Sequence, residues 1–286
     1  MSLVQSAFAY IFRITPQFKG KGRIVLLLDR LLGSSTAWPV QVVGTVNSLA
    51  LMKFDLRAWG QKFAYYYGAW EKDYIALSRK LYEGGNFVDV GSSLGLYVVC
   101  LGDLVRKSGA AIISVEPLDF NLEKQRENVS LNRLEDVVHY RQISLGDCET
   151  KLRIASDPSK SDNNAFISSE GSVEVRMTTL DLLLASTNPS RVGFIKIDVE
   201  GYDVMVILGA TETIRRDHPI IFAEFNRERM KINGFDMAPA WSFLVSEGYR
   251  AFEAKRGDLI EIENYGETEN VFFLPGPTER RGHGIA

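Results

Sequence analysis

Carboxylates and a lysine in this chain stand where apolar runs end, and that placement is what could do chemistry. In Phe194-Ile195-Lys196-Ile197-Asp198-Val199-Glu200 a lysine interrupts an apolar run that delivers Asp198 and Glu200 at its carboxyl end. A second run, Ile220-Ile221-Phe222-Ala223, ends on Glu224. A carboxylate so placed can take a proton or face a cation. The lysine either snorkels from an edge strand or pairs with a nearby carboxylate, because an unpaired buried charge is costly. Asp198 and Glu200 also read as caps of a helix beginning near Gly201.

A second constellation is Asp89-Val90-Gly91-Ser92-Ser93-Leu94-Gly95. Phe87–Val90 reads as a buried parallel strand, Gly91 and Gly95 permit a tight turn, and a helical spacing resumes at Leu94. Such a turn brings backbone up against a nucleotide-like ligand, although many strand-to-helix turns use glycine only for its positive φ. Glu116, at the end of the next apolar run Ala111–Val115, stands where a doubly wound sheet places an acid for both ribose hydroxyls. Taken alone it would read as a cap or a loop residue. Asp89, two residues ahead of Gly91, would repel a pyrophosphate and suit a sulfonium and an ammonium group. The spacing therefore favours S-adenosylmethionine over NAD.

The elements that must position these groups follow from the patterning. With 286 residues, 45% hydrophobic content and a formal net charge of −3, the chain can bury a large core and shows no global basic character of the kind nucleic-acid binding uses. Cys100 and Cys148 have no metal-ligand spacing, so a reducing cytoplasm is the expected location. The apolar stretches Leu3–Ile14 and Ile24–Leu32 are too short and too charged to span a membrane; Leu3, Ala7, Tyr10, Ile11 and Ile14 are spaced for an amphipathic helix, surface-lying or core-packed, with core packing favoured over membrane contact, and Met1-Ser2-Leu3 is also readable as in part a leader. Aromatics such as Trp38, Trp59, Tyr65, Tyr66, Tyr67 and Trp70 crowd the first eighty residues, with core packing favoured over stacking on an acceptor.

Beyond residue 80, strands and helices alternate in a βαβ pattern. Strands are predicted at Phe87–Val90, Ala111–Val115, Val137–Tyr140, Val173–Thr178, Phe194–Ile197, Ile220–Phe225, Tyr249–Glu253 and Val271–Leu274. Helices are predicted at Leu94–Lys107, Phe120–Asn132, Leu180–Ala185, Val204–Leu208 with a continuation to Arg215, and Pro239–Glu247. Asp157–Glu170 reads as a surface loop or hairpin, and Pro275–Ala286 as a frayed tail. The division is an accessory or lid region over 1–80 and a cofactor-binding domain over 81–286.

These pieces together resemble the FkbM-type methyltransferase family. The resemblance rests on Phe87-Val-Asp-Val-Gly-Ser-Ser-Leu-Gly-Leu-Tyr97, Val115-Glu-Pro117 with Asn128 following, Leu145-Gly-Asp147, Thr179-Leu-Asp181, Ile195-Lys-Ile-Asp-Val-Glu-Gly-Tyr202, Leu208-Gly-Ala210 and Pro219-Ile-Ile-Phe-Ala-Glu224. It spans about residues 81 to 275, and Ser93 stands where such families commonly have Asn or Gly. It implies a class I Rossmann-like α/β fold, a doubly wound, mostly parallel seven-stranded sheet with a reversed final strand. It also implies S-adenosylmethionine as cofactor and O-methylation of a sugar, glycan or other small natural product.

Carried over position by position, the resemblance implies that Asp89, Gly91, Ser93 and Gly95 hold the methionine and sugar portions, Glu116 the ribose, and Ile143 with Ser144 the adenine. Asp198 then lies near both sulfonium and acceptor. A hydroxyl needs a base as it attacks, and the candidate catalytic residues are Asp198 and Glu224, tuned by Lys196; Glu200 is a further candidate, and His139 and His218 read as structural. A Mg²⁺ held by Asp198, Glu224 and Asn226 is a lesser alternative, and no metal is expected. Expected partners are a small-molecule or carbohydrate acceptor, without nucleic acid or stable membrane insertion, and self-association into a homo-oligomer stays open. The competing functions are a regulatory cofactor-binding module of the same fold and, more distantly, an NAD-dependent oxidoreductase.

Overall fold

The computed structural model describes residues 9–13, 15, 20–32, 41–155, 166–168, 170–186, 190–265 and 268–276. Helix α1 (Lys21–Leu32), the hairpin β1 (Val42–Val46) and β2 (Ala50–Phe54), α2 (Trp59–Tyr67) and α3 (Lys72–Leu81) precede β3 (Asn86–Val90). Next come α4 (Leu96–Lys107), β4 (Ile112–Val115), α5 (Asp119–Leu131), β5 (Val138–Arg141), β6 (Ser144–Leu145), β7 (Thr150–Ala155), β8 (Phe166–Ile167) and β9 (Val173–Thr178). The chain continues through α6 (Leu180–Ala185), β10 (Val192–Ile197), α7 (Asp203–Leu208), α8 (Thr211–Asp217) and β11 (Ile220–Glu224). It ends with α9 (Arg227–Ile232), α10 (Ala238–Ser246), β12 (Tyr249–Lys255), β13 (Asp258–Ile262) and β14 (Asn270–Pro275).

The main sheet runs β13-β12-β14-β11-β10-β3-β4-β5. From β11 to β5 every pairing is parallel, whereas β14 lies antiparallel between β11 and β12. Strand β3 is flanked by β4 on one side and β10 on the other, so the order reverses there and opens a crevice at the carboxyl ends of β3 and β10. This is the doubly wound class I arrangement, with eight strands rather than the expected seven. The added strand β13 forms a hairpin with β12, and its sequence DLIEI is mostly exposed, so no apolar run marks it. Both faces of the sheet are covered by apolar clusters. One joins Phe87, Phe194, Phe222 and Phe272 to α4, and the other joins Val88, Val90, Ile195 and Ile197 to α7 and α10.

The smaller sheet, β6-β9-β7-β8, takes up the expected strand Val173–Thr178 and pairs Phe166 and Ile167 with β7. Part of the segment read as a loop is therefore a strand, while residues 156–165 and 169 lie outside the described residues. The single helix expected from Val204 to Arg215 is two, parted at Gly209 and Ala210. The carboxylate of Asp181 accepts from Glu212 N (2.9 Å) and Thr213 N (2.8 Å) and so starts α8 afresh.

The first eighty residues are fastened to the sheet through α5. Lys53 N donates to Asn128 Oδ1 (2.8 Å) and Leu51 N to Asn132 Oδ1 (2.9 Å), so two asparagine side chains serve β2 in place of a neighbouring strand. Met52, Phe54, Leu56 and Ile75 are fully buried in the same cluster as Phe87. Tyr65 and Tyr66 are buried too. Residues 9–13 are helical, with Ala9 and Phe12 buried and Tyr10 and Ile11 exposed. Leu3, Ala7, Ile14, Trp38 and the tail beyond Gly276 lie outside the described residues. No helix among the described residues is long and apolar enough to cross a membrane.

Candidate active site at the strand ends

The turn after β3 is built by backbone proximity. Gly91 has φ +74°, its N–H donates to the Val115 carbonyl (3.0 Å), and a Cβ on it would overlap the Asp198 carbonyl. Asp198 N in turn donates to the Val90 carbonyl (3.0 Å), so the ends of β3 and β10 touch at this point. Ser93 takes φ +46° and donates its N–H to Glu116 Oε2 (3.0 Å). The other Glu116 oxygen accepts from Leu118 N (3.0 Å) and Asn121 Nδ2 (3.2 Å). Burial nevertheless raises the Glu116 carboxyl above its ordinary range. Gly95, at φ +81°, leaves no room for a side chain because Gln125 of α5 packs on it.

Beneath the turn lies a charge cluster set by strand register. Asp89 of β3 pairs with Lys196 of β10, which places both on one face. Lys196 Nζ donates to Asp198 Oδ2 at 3.0 Å, stands 3.8 Å from Asp89 Oδ1 and lies 5.1 Å from the centre of the Tyr97 ring. Asp89 is 1% exposed, and its Oδ1 receives no hydrogen bond among the described residues. Burial pushes its carboxyl up to about 7 against the pull of Lys196. For Lys196, burial lowers the pKa, but Asp198, Asp89 and Glu71 outweigh it, and the ammonium is held above the usual lysine range. Glu224 is pushed up to about 8 by burial first and then by the charges of Asp198 and Glu71. Glu200 is raised by burial and Asp198, and accepts from Asn226 Nδ2 (3.0 Å).

Above the cluster opens a cavity of about 510 Å³, within the roughly 300–1,000 Å³ of small-molecule sites. Gly91, Ser93 and Glu116 form one wall, and Pro117, Leu118 and Ile143 continue it with apolar surface. Asp198 and Glu200 close the carboxylate side, Ile154 and Phe166 reach in from the small sheet, and Trp59 and Trp70 come from the N-terminal region. Carboxylates facing an otherwise largely apolar hollow fit a cationic, adenine-bearing cofactor such as S-adenosylmethionine.

Of the residues singled out from sequence, Gly91, Ser93, Glu116, Ile143, Ser144 and Asp198 line this cavity. Asp89 and Gly95 are not in its wall: Asp89 is buried against Lys196 and Gly95 against Gln125. Lys196 and Glu224 stand behind Asp198, joined to it by charge. Asp198 and Glu200 do not cap α7; Asp203, fully buried, closes that loop by accepting from Val199 N and Gly201 N, each at 3.1 Å. Asn226 caps α9 through Arg229 N (3.1 Å), and among the described residues no three or more His, Cys, Asp or Glu side chains are grouped so as to hold a metal ion. His139 is exposed, and His218 ends α8. Sequence reasoning missed Glu71, whose Oε2 accepts from Tyr97 Oη (2.7 Å). Nothing local marks it, because its partners lie 26 residues away and further.

Residues 89–251 match the model of the FkbM methyltransferase domain. Among solved structures, a methyltransferase FkbM from Methylobacillus flagellatus aligns with 94% of this chain at 13% identity and a TM-score of 0.47, and the chain spans 57% of that protein. An O-methyltransferase from Bacillus cereus, in complex with SAH, aligns with 94% of this chain and 96% of its own at 12% identity and a TM-score of 0.43. A SAM-dependent O-methyltransferase from Thermotoga maritima aligns with 74% of this chain and 68% of its own at 11% identity and a TM-score of 0.39. No curated protein sequence matches the chain.

Proposed function

The chain belongs to the FkbM methyltransferase family and carries its S-adenosylmethionine-dependent domain, and on that premise we propose that it methylates a hydroxyl of a sugar, glycan or other small natural product. The observation that carries this reading is Asp198, which lines the cavity, is held by Lys196 Nζ at 3.0 Å, and has Glu224 behind it at the end of β11. A carboxylate so fixed at the cavity wall can take up the proton a hydroxyl must lose.

When bound, S-adenosylmethionine supplies a methyl group on a sulfonium. The chain's residues do the rest. Gly91 and Ser93 admit the cofactor to the backbone, Glu116 offers carboxylate lone pairs to its ribose, and Ile143 with Ser144 borders the adenine. Asp198, fixed by Lys196, would sit between cofactor and acceptor, and the Asp198 carboxylate, with Glu224 behind it, would take the acceptor's proton as the oxygen–methyl bond forms and the sulfur–methyl bond of the sulfonium breaks. Residues 1–80 supply the acceptor side, with Trp59 and Trp70 as flat walls suited to a sugar ring.

Calorimetric titration with S-adenosylhomocysteine and with NAD separates the cofactor classes: heat with the first alone is expected, and silence with it would sink the proposal. Labelled-methyl transfer into panels of sugars, glycans and polyketides then reads out the acceptor. Methylation of amines but of no hydroxyl compound would overturn the assignment to oxygen. Binding without transfer to any acceptor, together with unchanged binding in Glu224→Gln, would favour a regulatory module.

A further inference from the structure

Glu71 lies outside the matched family segment and directly before α3, yet its side chain reaches the charge cluster. Its backbone is at φ +46° and ψ +38°, a left-handed conformation that costs a non-glycine residue about 1 kcal/mol or more. Its carboxylate makes no capping bond to α3. It turns instead to Tyr97 Oη at 2.7 Å. Tyr97 is 2% exposed, and its ring faces Lys196 Nζ, which holds Asp198.

The hairpin enforces this conformation. Asn47 Nδ2 donates to the Trp70 carbonyl (2.7 Å), and Asn47 Oδ1 accepts from Trp70 N (3.0 Å), so one amide clamps both sides of the residue before Glu71. Asn47 N also donates to the Gly68 carbonyl (2.8 Å). Asn128, which fastens β2, donates its Nδ2 to the Leu94 carbonyl (2.9 Å) inside the cofactor turn. Hydrogen bonds joined by short stretches of backbone thus run from the turn through α5 and the hairpin to Trp70, next to Glu71, and from Glu71 to Tyr97.

We propose that Glu71 is a positioning residue of the reaction centre: through Tyr97 it holds Lys196 in contact with Asp198 and Asp89, and it adds a further carboxylate to that buried cluster. The inference rests on the assignment of Asp198 and Glu224 to the reaction centre. The groups facing Glu224 are Asp198 and Lys196 from the β10 end, Glu200 from the following loop, and Glu71 and Tyr74 from α3 and its start. Glu71 is the one carboxylate among them that comes from the N-terminal region. Burial raises the Glu71 carboxyl above its ordinary range, against the pull of Lys196 and of the Tyr97 hydroxyl, and its anion in turn raises the proton affinity of Glu224 and of Asp89.

The test is a pH titration of side-chain carboxyl carbons by ¹³C NMR on the full chain, with Glu224 assigned through Glu224→Gln. Glu71→Gln keeps an oxygen for the Tyr97 hydroxyl and removes the charge. The Glu224 midpoint is expected to fall by about half a pH unit or more, with the thermal unfolding transition retained. A folded variant with an unmoved Glu224 midpoint overturns the proposal. Tyr97→Phe provides the second arm: it keeps the ring over Lys196 and removes the hydroxyl, so the midpoint of Glu71 itself is expected to rise. An unmoved Glu71 midpoint overturns the contact. Should Glu71→Gln fail to fold, the Glu224 midpoint in Tyr97→Phe decides: it is expected to fall once Glu71 is no longer held as an anion, and an unmoved Glu224 midpoint there overturns the proposal. Calorimetry with S-adenosylhomocysteine on the same samples reports the cofactor assignment separately, because absence of heat there leaves the carboxyl titrations readable.

Discussion

Lys196 and Asp198, two residues apart along one strand direction, emerge on the same side, and the lysine nitrogen meets the aspartate oxygen at 3.0 Å. The lysine is 5% exposed, and Asp89, Glu71 and Glu224 lean on the same charge. Lys196→Met preserves the volume and removes the cation. Buried carboxylates left without their partner should cost about 3–5 kcal/mol near pH 8. The loss should shrink toward pH 6, where the carboxyls protonate more readily. Urea unfolding at both pH values measures it, and an equal loss at both would show that packing rather than charge is responsible.

The raised carboxyls make stability depend on pH in a stated direction. Asp89 binds its proton up to about pH 7 in the folded chain, against an ordinary 3.8, so it contributes stability below about pH 4 that is lost as pH rises through 7. Unfolding temperature is therefore expected to fall from pH 5 to pH 7. Asp89→Asn cannot ionise, and its stability curve should be flatter over that window by about 1 kcal/mol per pH unit. Parallel curves for the two proteins would place the proton elsewhere.

Much of the framework was legible because buried parallel strands are short apolar runs. Val173–Thr178 and Leu180–Ala185 have the predicted bounds, and Phe87–Val90 and Phe194–Ile197 fall within β3 and β10. What escaped has no such run. Strand β13 has exposed charges on an edge, β7 alternates Thr, Lys and Arg with apolar residues, and α9 is one turn and a half long. The cavity residues near Gly91 were legible from local turn chemistry. Glu71 was not, because its role exists only after the hairpin, α5 and α4 have packed, and Asp203 was hidden because its partners are backbone N–H groups of its own loop.

Gly91, Ser93 and Gly95 of the turn after β3 all have a positive φ, and substitutions at the first two should diverge. Gly91→Ala puts a methyl group into the Asp198 carbonyl and against the Val199 side chain, and should destabilise by more than about 2 kcal/mol and abolish S-adenosylhomocysteine binding. Ser93 is exposed and strained at φ +46°, and only its backbone N–H is bonded to Glu116. Ser93→Gly should keep that bond and relieve the strain, a stabilisation within about 1 kcal/mol after the entropy of glycine is counted. Thermal melts with and without S-adenosylhomocysteine check both, and destabilisation by Ser93→Gly would mean that the serine hydroxyl is itself engaged.

Glu116 holds the turn and faces the cavity, and the two duties can be separated. Its carboxylate accepts from Ser93 N, Leu118 N and Asn121 Nδ2, three donors that a glutamine cannot all satisfy with one oxygen. Glu116→Gln should therefore destabilise by about 1–3 kcal/mol through an orphaned donor, whatever the ligand does. If the carboxylate also holds the ribose, S-adenosylhomocysteine affinity should drop about 10-fold to 100-fold, as expected for hydrogen bonds to a charged group. A 2′,3′-dideoxy analogue of the same ligand should bind the native protein and the variant alike, because it has no hydroxyls to lose. Calorimetry on the four combinations closes the cycle. Equal losses for the two ligands would reduce Glu116 to a turn-holding residue and move ribose recognition to another part of the wall.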